Sequence, residues 1–377
     1  MCLAKTEGCK GRPGDKEKQV RKGLYVAWML IPLMLMLALC PAVGQGESSY
    51  SAWLPYWVLD DAMDEAEALS GQLDMLVAFA AILDENDHPF LLDETETLLL
   101  AMQRAFGKER VALSVVNDVQ VAQGEYVNKT TDPLGRLFAD EEAMNQHIAR
   151  LLTLVDTYEL AGLEIDYENI KDDAALWAQY AVFIQKLYEQ MKAEGLTLRV
   201  VLSWDAPRYV SLPEGPEYVV MCYNLYGYHS GPGPKADFSF LNETAQLYAS
   251  VPDEVSMAFA TGGFEWVNGS VVSALTQVQA EELLAQQGVT PRRDEDSGAL
   301  YAQFELDGEI HIVWYADGET LARWCAHMQE KGFESFDFFR LGGNVLSDWE
   351  QTVLSLQPTA VETAGMEATP SEAALGV

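Results

Sequence analysis

Residues 160–170 read LAGLEIDYENI and alternate between polar and apolar side chains with a period of two. This period is typical of a β-strand, in which successive side chains point to opposite faces. One face of the predicted strand carries Glu164, Asp166 and Glu168. The other carries Leu163, Ile165 and Tyr167. Two interpretations are open, since the acids either face water on an edge strand or face the inside of a closed sheet.

The neighbouring segments favour the closed sheet. Apolar strand patterns alternate with amphipathic helix patterns along most of the chain, which predicts parallel strands joined by helices. The predicted strands cover residues 52–57, 75–80, 110–116, 160–170, 198–204, 218–223, 255–260 and 336–339. The predicted helices include residues 94–106, 141–160, 173–193 and 319–331. Eight strands in this arrangement predict an α/β fold, a (β/α)8 TIM barrel.

A barrel changes the interpretation of the acidic strand. Its apolar face would pack on the surrounding helices, and its carboxylates would point into the barrel. Buried carboxylates are costly unless they share protons or accept hydrogen bonds, and such groups are concentrated at active sites. Glu168 lies at the carboxyl end of the strand, where TIM barrels form their active sites.

Four segments are assigned from the sequence. Residues 50–260 and 319–355 form the barrel, and residues 261–318 form a small α+β insertion between the seventh strand and the following helix. The insertion is expected to contain a helix at residues 279–287 and a hairpin of residues 301–306 with 310–314. The tail, residues 358–377, is rich in Ala, Glu, Thr and Pro and is expected to be disordered.

The remaining segment, residues 1–44, is basic and then almost wholly apolar, and it ends in small residues. This order is typical of an export signal. The apolar run is also close to the length that spans a bilayer, so a retained membrane anchor stays open. The sequence therefore predicts an exported protein, either secreted or membrane-anchored at the cell surface.

Composition limits the partners. The formal net charge is -34, which argues against nucleic acid, because binding its phosphates needs a basic surface. The histidines show no metal-ligand spacing, and Cys222 and Cys325 lie in apolar surroundings, where buried free thiols are expected. We expect no metal, no cofactor and a monomer.

Several motifs together resemble one enzyme family. Residues 162–168 resemble the D-G-x-D-x-D-x-E signature of glycoside hydrolase family 18, a chitinase-like family, and residues 221–224 resemble its M-x-Y-D motif. Residues 314–317, a helix and residues 339–343 follow in the order found in the bacterial branch with spore-cortex N-acetylglucosaminidases. The resemblance implies an exported glycoside hydrolase that cleaves β-linked N-acetylhexosamine glycans with retention, assisted by the substrate's own acetamido group.

The resemblance also implies roles for individual residues. Glu168 would be the general acid, Asp166 would orient the acetamido group, and Tyr223 would donate a hydrogen bond to the acetamido oxygen. Glu164 would lie deeper and share a proton with Asp166. The departures from the family pattern are Ala161 and Glu164 for two aspartates, Asn224 for aspartate and Phe339 for tryptophan.

The substrate would be a polysaccharide that contains N-acetylglucosamine, either peptidoglycan or a chitin-like glycan. The candidates for binding it are Glu164, Asn224, Phe339, Trp57, Trp204 and Trp266. For the tryptophans, packing in the core is an equally open role. Because of the departures, a catalytically weak or inactive carbohydrate-binding protein on the same fold is the alternative.

Overall fold

The computed structural model describes residues 48–252 and 254–349. The predicted export segment and the predicted disordered tail lie outside the described residues. No helix among the described residues is both long enough and apolar enough to cross a membrane.

The described residues alternate between strands and helices. The strands are β1 (Ser49–Pro55), β2 (Met75–Leu83), β3 (Pro89–Phe90), β4 (Val111–Ala122), β5 (Glu125–Val127), β6 (Gly162–Asp166), β7 (Thr197–Ser203), β8 (Glu217–Met221), β9 (Val255–Ala260), β10 (Gly262–Val267), β11 (Ser270–Leu275), β12 (Arg292–Arg293), β13 (Leu300–Leu306), β14 (Glu309–Ala316) and β15 (Ser335–Phe339). The α-helices are α1 (Leu59–Ala68), α2 (Asp93–Phe106), α3 (Asp132–Leu137), α4 (Glu141–Tyr158), α5 (Ala174–Ala193), α6 (Phe238–Tyr248), α7 (Gln277–Gln287) and α8 (Gly318–Gln329).

Eight of the strands close into a parallel barrel. They pair in the order β1, β2, β4, β6, β7, β8, β9 and β15, and β15 pairs again with β1. Short antiparallel strands extend two of them, β3 on β2 and β5 on β4. The predicted TIM barrel is confirmed.

The third barrel strand is longer than the sequence pattern predicted. The expected end was residue 116, but β4 continues to Ala122 and turns back at Gly124 into β5. This hairpin places the following residues, including Lys129, over the carboxyl end of the barrel. No strand was predicted between residues 116 and 160, so this hairpin is an addition to the expected fold.

The insertion is a single antiparallel sheet with one helix. Its strand order is β11, β10, β14, β13 and β12, and α7 packs on the sheet through Ala280 and Leu284. The predicted helix and the predicted hairpin, β13 with β14, are both present. A second hairpin, β10 with β11, was not predicted. The predicted α+β insertion between the seventh barrel strand and the next helix is confirmed.

Side-chain caps fix where the helices begin. An aspartate at the N-cap accepts a hydrogen bond from a backbone N–H of the first turn in four of the helices, which satisfies donors that have no partner inside the helix. These caps are Asp140, Asp173, Asp237 and Asp317. In α7 the cap is Thr276, whose hydroxyl oxygen accepts from the Gln279 N–H, and Gln279 Oε1 accepts from the Thr276 N–H, which completes a capping box.

A buried guanidinium occupies the centre of the barrel. Arg199 on β7 is 1% exposed, and its Nε lies 3.1 Å from Glu164 Oε2 on β6. Its other nitrogens pair with Asp337 on β15 and with Glu217 on β8, the latter at 3.3 Å. Burial disfavours its charge, but the neighbouring carboxylates outweigh burial and raise the pKa of Arg199. One cation on β7 therefore joins its own strand to three others of the barrel.

Loss of Arg199 is expected to destabilise the barrel strongly. Arg199→Met would leave buried carboxylates without a cation, and breaking a buried ion pair in this way costs about 3–5 kcal/mol. Urea unfolding of the purified protein measures the change. The control is Arg208→Met, which removes an exposed ion pair with Glu243 and should cost about 1 kcal/mol or less. Equal stability of the two variants would contradict the proposed role of Arg199.

Candidate active site

A cavity of about 410 Å³ opens at the carboxyl end of the barrel. This volume lies in the range of small-molecule sites, and the carboxyl end is where TIM barrels bind substrates. The barrel contributes Asp166, Glu168, Tyr223 and Phe339 to its wall, and the insertion contributes residues of β10, β11 and α7. The structure therefore brings the three predicted catalytic side chains into one cavity.

Lys129 connects the two outer carboxylates. Its Nζ lies 2.8 Å from Asp166 Oδ2 and 2.8 Å from Glu168 Oε1. It also lies 5.6 Å from the ring centre of Phe79. Sequence analysis missed this residue, because it follows a hairpin that no local pattern predicted. Lys129 lines the cavity together with both acids.

Backbone hydrogen bonds hold Lys129 in place. Its N–H donates to Asp118 Oδ1 at 2.7 Å, and its carbonyl accepts from Asn169 Nδ2 at 2.9 Å. Asn117, fully buried, donates to the carbonyls of Thr130 at 2.9 Å and Glu168 at 3.0 Å, and its Oδ1 accepts from the Glu168 N–H at 3.0 Å. Asn117 thus fixes the backbone of Glu168 and of the Lys129 loop together.

The environment of Glu168 favours its neutral form. Burial and the charge of Asp166 raise the pKa of Glu168 to about 7, although Lys129 acts in the opposite direction. For Lys129, burial opposes the charge, but the two carboxylates outweigh it and raise the pKa. At neutral pH the site can therefore hold Glu168 in either protonation state, as a general acid requires.

Two hydrogen-bonding groups face the same space. Asp166 Oδ1 is buried and has no hydrogen-bond partner in the described structure, so one acceptor of this carboxylate is available to a ligand. Burial, followed by the charge of Glu168, raises the pKa of Tyr223 well above its usual value. The phenol therefore stays protonated and can donate.

Aromatic rings form the floor of the cavity. The ring of Phe339 lies nearly parallel to Tyr223, with centroids 6.3 Å apart. Phe79 and Trp53 meet Phe339 edge-on, at 5.6 Å and 5.9 Å. Aromatic faces of this kind pack on the apolar faces of sugar rings. Phe79 and Trp53 were not among the predicted site residues, although both lie on predicted strands.

Glu164 does not line the cavity, contrary to expectation. Its carboxylate is fully buried beneath the site, where it accepts from Trp53 Nε1 at 2.6 Å and pairs with Arg199. We expected Glu164 and Asp166 to share a proton. That prediction is wrong for the described structure, because no hydrogen bond joins their two carboxyl groups. Burial nevertheless raises the pKa of Glu164 to about 7.

The three predicted tryptophans are also outside the cavity wall. Trp266 is fully buried in the insertion and donates to the Ser230 carbonyl at 3.4 Å. Trp204 packs edge-on against Phe240, with the Arg208 guanidinium 4.8 Å from its ring centre. Trp57 is 50% exposed, and its ring centroid lies 6.0 Å from that of Phe79, which lines the cavity. Core packing accounts for Trp266 and Trp204.

By contrast, the predicted substrate-binding residue Asn224 does line the cavity.

A second, smaller cavity lies on the other side of Glu168. It has a volume of about 220 Å³ and is lined by Ser203, Asp205, Trp177 and Tyr209, among others. Glu168 belongs to the walls of both cavities. A chain-like ligand that occupied both would therefore pass the carboxyl group of Glu168.

The described residues contain no cluster of three or more His, Cys, Asp or Glu side chains that could hold a metal ion. Cys222 and Cys325 are both buried free thiols. Burial raises the pKa of each, so neither is a reactive thiolate at neutral pH.

Solved structures share this architecture. The Bacillus cereus spore cortex-lytic enzyme SleL superposes with a TM-score of 0.68 at 17% identity, covering 82% of this chain and 74% of that one. A chitinase from Chromobacterium violaceum gives 0.67 at 16% identity, over 81% and 99% of the two chains. A class V chitinase from Nicotiana tobaccum, solved in complex with NAG4, gives 0.64 at 14% identity over 81% and 99%.

The chain has the chitinase-like fold of glycoside hydrolase family 18. No family model matches the sequence. No curated protein matches it either. The similarity therefore lies in the three-dimensional fold, and it agrees with the resemblance drawn from the short motifs.

Removal of the ammonium group is expected to raise the pKa of Glu168. Lys129 favours the ionised carboxylate, so Lys129→Met should shift the Glu168 titration to higher pH by roughly one unit. Carbon-13 NMR of the glutamate carboxyl groups measures this directly. Lys186→Met is a matched control, because its ion pair with Glu141 is remote from the cavity. An unchanged Glu168 titration in Lys129→Met would contradict the electrostatic role of the lysine.

Proposed function

We propose that the chain is a glycoside hydrolase that cleaves β-linked N-acetylhexosamine glycans with retention, by substrate-assisted catalysis. The observation that carries the proposal is the placement of Asp166, Glu168 and Tyr223 around one aromatic-floored cavity on this fold. The glycosidases among the solved structures, one of them bound to an oligosaccharide, support the same class of substrate.

Glu168 is proposed as the general acid. A sugar chain that occupied both cavities would bring its glycosidic oxygen past this carboxyl group. The raised pKa of Glu168 keeps a proton available near neutral pH. Protonation of the glycosidic oxygen breaks the bond to the leaving sugar as the acetamido oxygen attacks the anomeric carbon.

Asp166 and Tyr223 are proposed to hold the acetamido group. The unpaired Oδ1 of Asp166 can accept the amide N–H, and the protonated phenol of Tyr223 can donate to the amide oxygen. Attack by that oxygen produces a positively charged oxazolinium ring, which the carboxylate of Asp166 stabilises. Water then opens the ring, with Glu168 now acting as the general base.

A carbohydrate-binding protein without turnover is the second candidate. The observation that favours it is the double ion pair of Lys129, in which one ammonium group contacts both proposed catalytic carboxylates and offsets part of their charge. A cation beside Asp166 also opposes an oxazolinium cation by charge repulsion. The two candidates share a ligand class and differ in whether the bond is broken.

Replacement of the general acid distinguishes them. The wild-type protein is expected to release reducing ends from N-acetylglucosamine oligomers or from peptidoglycan, and Glu168→Gln should lower the rate about 10²- to 10⁴-fold. The exposed Glu67→Gln controls for the chemical change alone. Binding measured by calorimetry without any release of reducing ends would instead establish the second candidate.

The rate of hydrolysis should fall as the pH rises through about 7. Glu168 acts while protonated, and its folded-state pKa is raised to about 7, so the acid is present below that pH and is lost above it. Measurement of kcat/KM between pH 4 and pH 10 on a soluble oligomer gives the profile. A rate that stays constant from pH 6 to pH 9 would exclude Glu168 as the acid.

A further inference from the structure

Two further cations line the main cavity on the side of the insertion. Lys235, half-buried, donates to the Thr261 carbonyl at 2.6 Å and lies 5.2 Å from the ring centre of Phe264. Arg340 follows β15, and its Nη1 donates to the carbonyls of Leu341 at 3.3 Å and Gly342 at 3.0 Å. Neither belongs to the proposed catalytic machinery.

These two cations have no anionic partner. Within the described ranges, the side chains of Lys235 and Arg340 hydrogen-bond only to backbone carbonyls, whereas that of Lys129 pairs with two carboxylates. Glu65 and Asp61 act on Arg340 through space without an ion pair to it. Burial and the nearby Arg340 lower the pKa of Lys235 to about 7, as expected of adjacent like charges.

Lys235 and Arg340 are held in this arrangement by the fold. Thr261, which accepts from Lys235 through its carbonyl, exchanges hydrogen bonds with the backbone of Arg340 at 3.1 Å and 3.2 Å. The next turn is fixed by Glu65, whose carboxylate accepts from the N–H groups of Gly342 and Gly343 at 2.7 Å each. Positive φ angles at both glycines let these N–H groups converge.

Two like charges placed together in a partly buried cavity are unfavourable unless an anion joins them. They are also unusual in this chain, which has 58 acidic and 24 basic residues. The positive end of α7 lies beside them, because Thr276 and Gln279 of its first turn line the same cavity. The arrangement is therefore prepared for a negatively charged ligand.

We propose that Lys235 and Arg340 form a subsite for a carboxylate carried by the glycan, so that the preferred substrate is an acidic N-acetylhexosamine polymer. The planar guanidinium of Arg340 matches a carboxylate, and Lys235 adds a second, compact charge. Phe264 and the exposed Tyr228, whose rings meet edge-on at 5.3 Å, supply apolar surface for the sugar that carries the group. This inference rests on the proposed function and selects between its two substrates.

A matched pair of ligands tests the subsite. Soluble oligomers of alternating N-acetylglucosamine and N-acetylmuramic acid carry a carboxylate on every second sugar, and chemical reduction of those carboxylates to alcohols gives neutral oligomers of the same length. Calorimetry with the Glu168→Gln protein avoids cleavage during the measurement. The reduced oligomer is expected to bind at least about tenfold more weakly. Equal affinity for the two forms, or no binding of either, overturns the subsite.

Variants then test whether Lys235 and Arg340 cause the difference in affinity between the two oligomers. Lys235→Met and Arg340→Met, each combined with Glu168→Gln, should reduce the difference between the two oligomers. Lys192→Met is the matched control, because Lys192 also lies over an aromatic ring, that of Tyr188 at 5.4 Å, but far from this cavity. The control should retain the full difference. If the Lys235 or Arg340 variant does not fold, the affinities of the two oligomers for the Glu168→Gln protein still decide whether the subsite exists.

Cleavage by the wild-type protein separates this inference from the proposed function. Cleavage of both oligomers with equal kcat/KM would overturn the subsite and support the hydrolase. Carboxylate-dependent binding without cleavage would support the subsite and overturn the hydrolase.

Discussion

The ion pairs of Arg199 are the interaction on which the barrel interior depends. Parallel strands closed into a barrel have no face towards water, so every inward polar group needs a partner inside. Here one guanidinium supplies the partner for the carboxylates of Glu164, Asp337 and Glu217, which come from three different strands. The guanidinium thus offsets part of the negative charge that lies beneath Asp166 and Glu168.

Each of the three acids between residues 164 and 168 therefore has a cation as a partner. Arg199 pairs with the deepest of them, Glu164, and Lys129 pairs with the outer two, Asp166 and Glu168. The family pattern has an aspartate where this chain has Glu164, and the longer side chain here reaches both Arg199 and Trp53 Nε1. The departure at this position thus belongs to the support of the site rather than to the cavity itself.

The local patterns predicted the barrel and its acidic strand, because both depend on periodicities of a few residues. Contacts between residues far apart in the sequence were not predictable in the same way, because no local pattern records them. Lys129 meets Asp166 across 37 residues, and it follows a hairpin that was not predicted. Arg199 did leave a signal, as a lone charge inside the apolar strand LRVVLS. The prediction that three tryptophans bind the substrate was wrong for a different reason. The presence of an indole ring does not show whether a residue packs in the core or faces the site.

The proposed substrate-assisted mechanism sets a physical condition on Lys129. An oxazolinium cation needs the negative charge of Asp166, and an ammonium group 2.8 Å from that carboxylate reduces the charge available. The proposed mechanism therefore requires Lys129 Nζ to leave Asp166 as the acetamido group arrives. The hydrogen bonds that fix the loop involve only the backbone of Lys129, at its N–H and its carbonyl. Its side chain is held by the two carboxylates and by Phe79, so it can rotate away while the loop stays in place. Protonation of Glu168 removes one of those two ion pairs, and the step that prepares the general acid thereby also weakens the hold on the lysine.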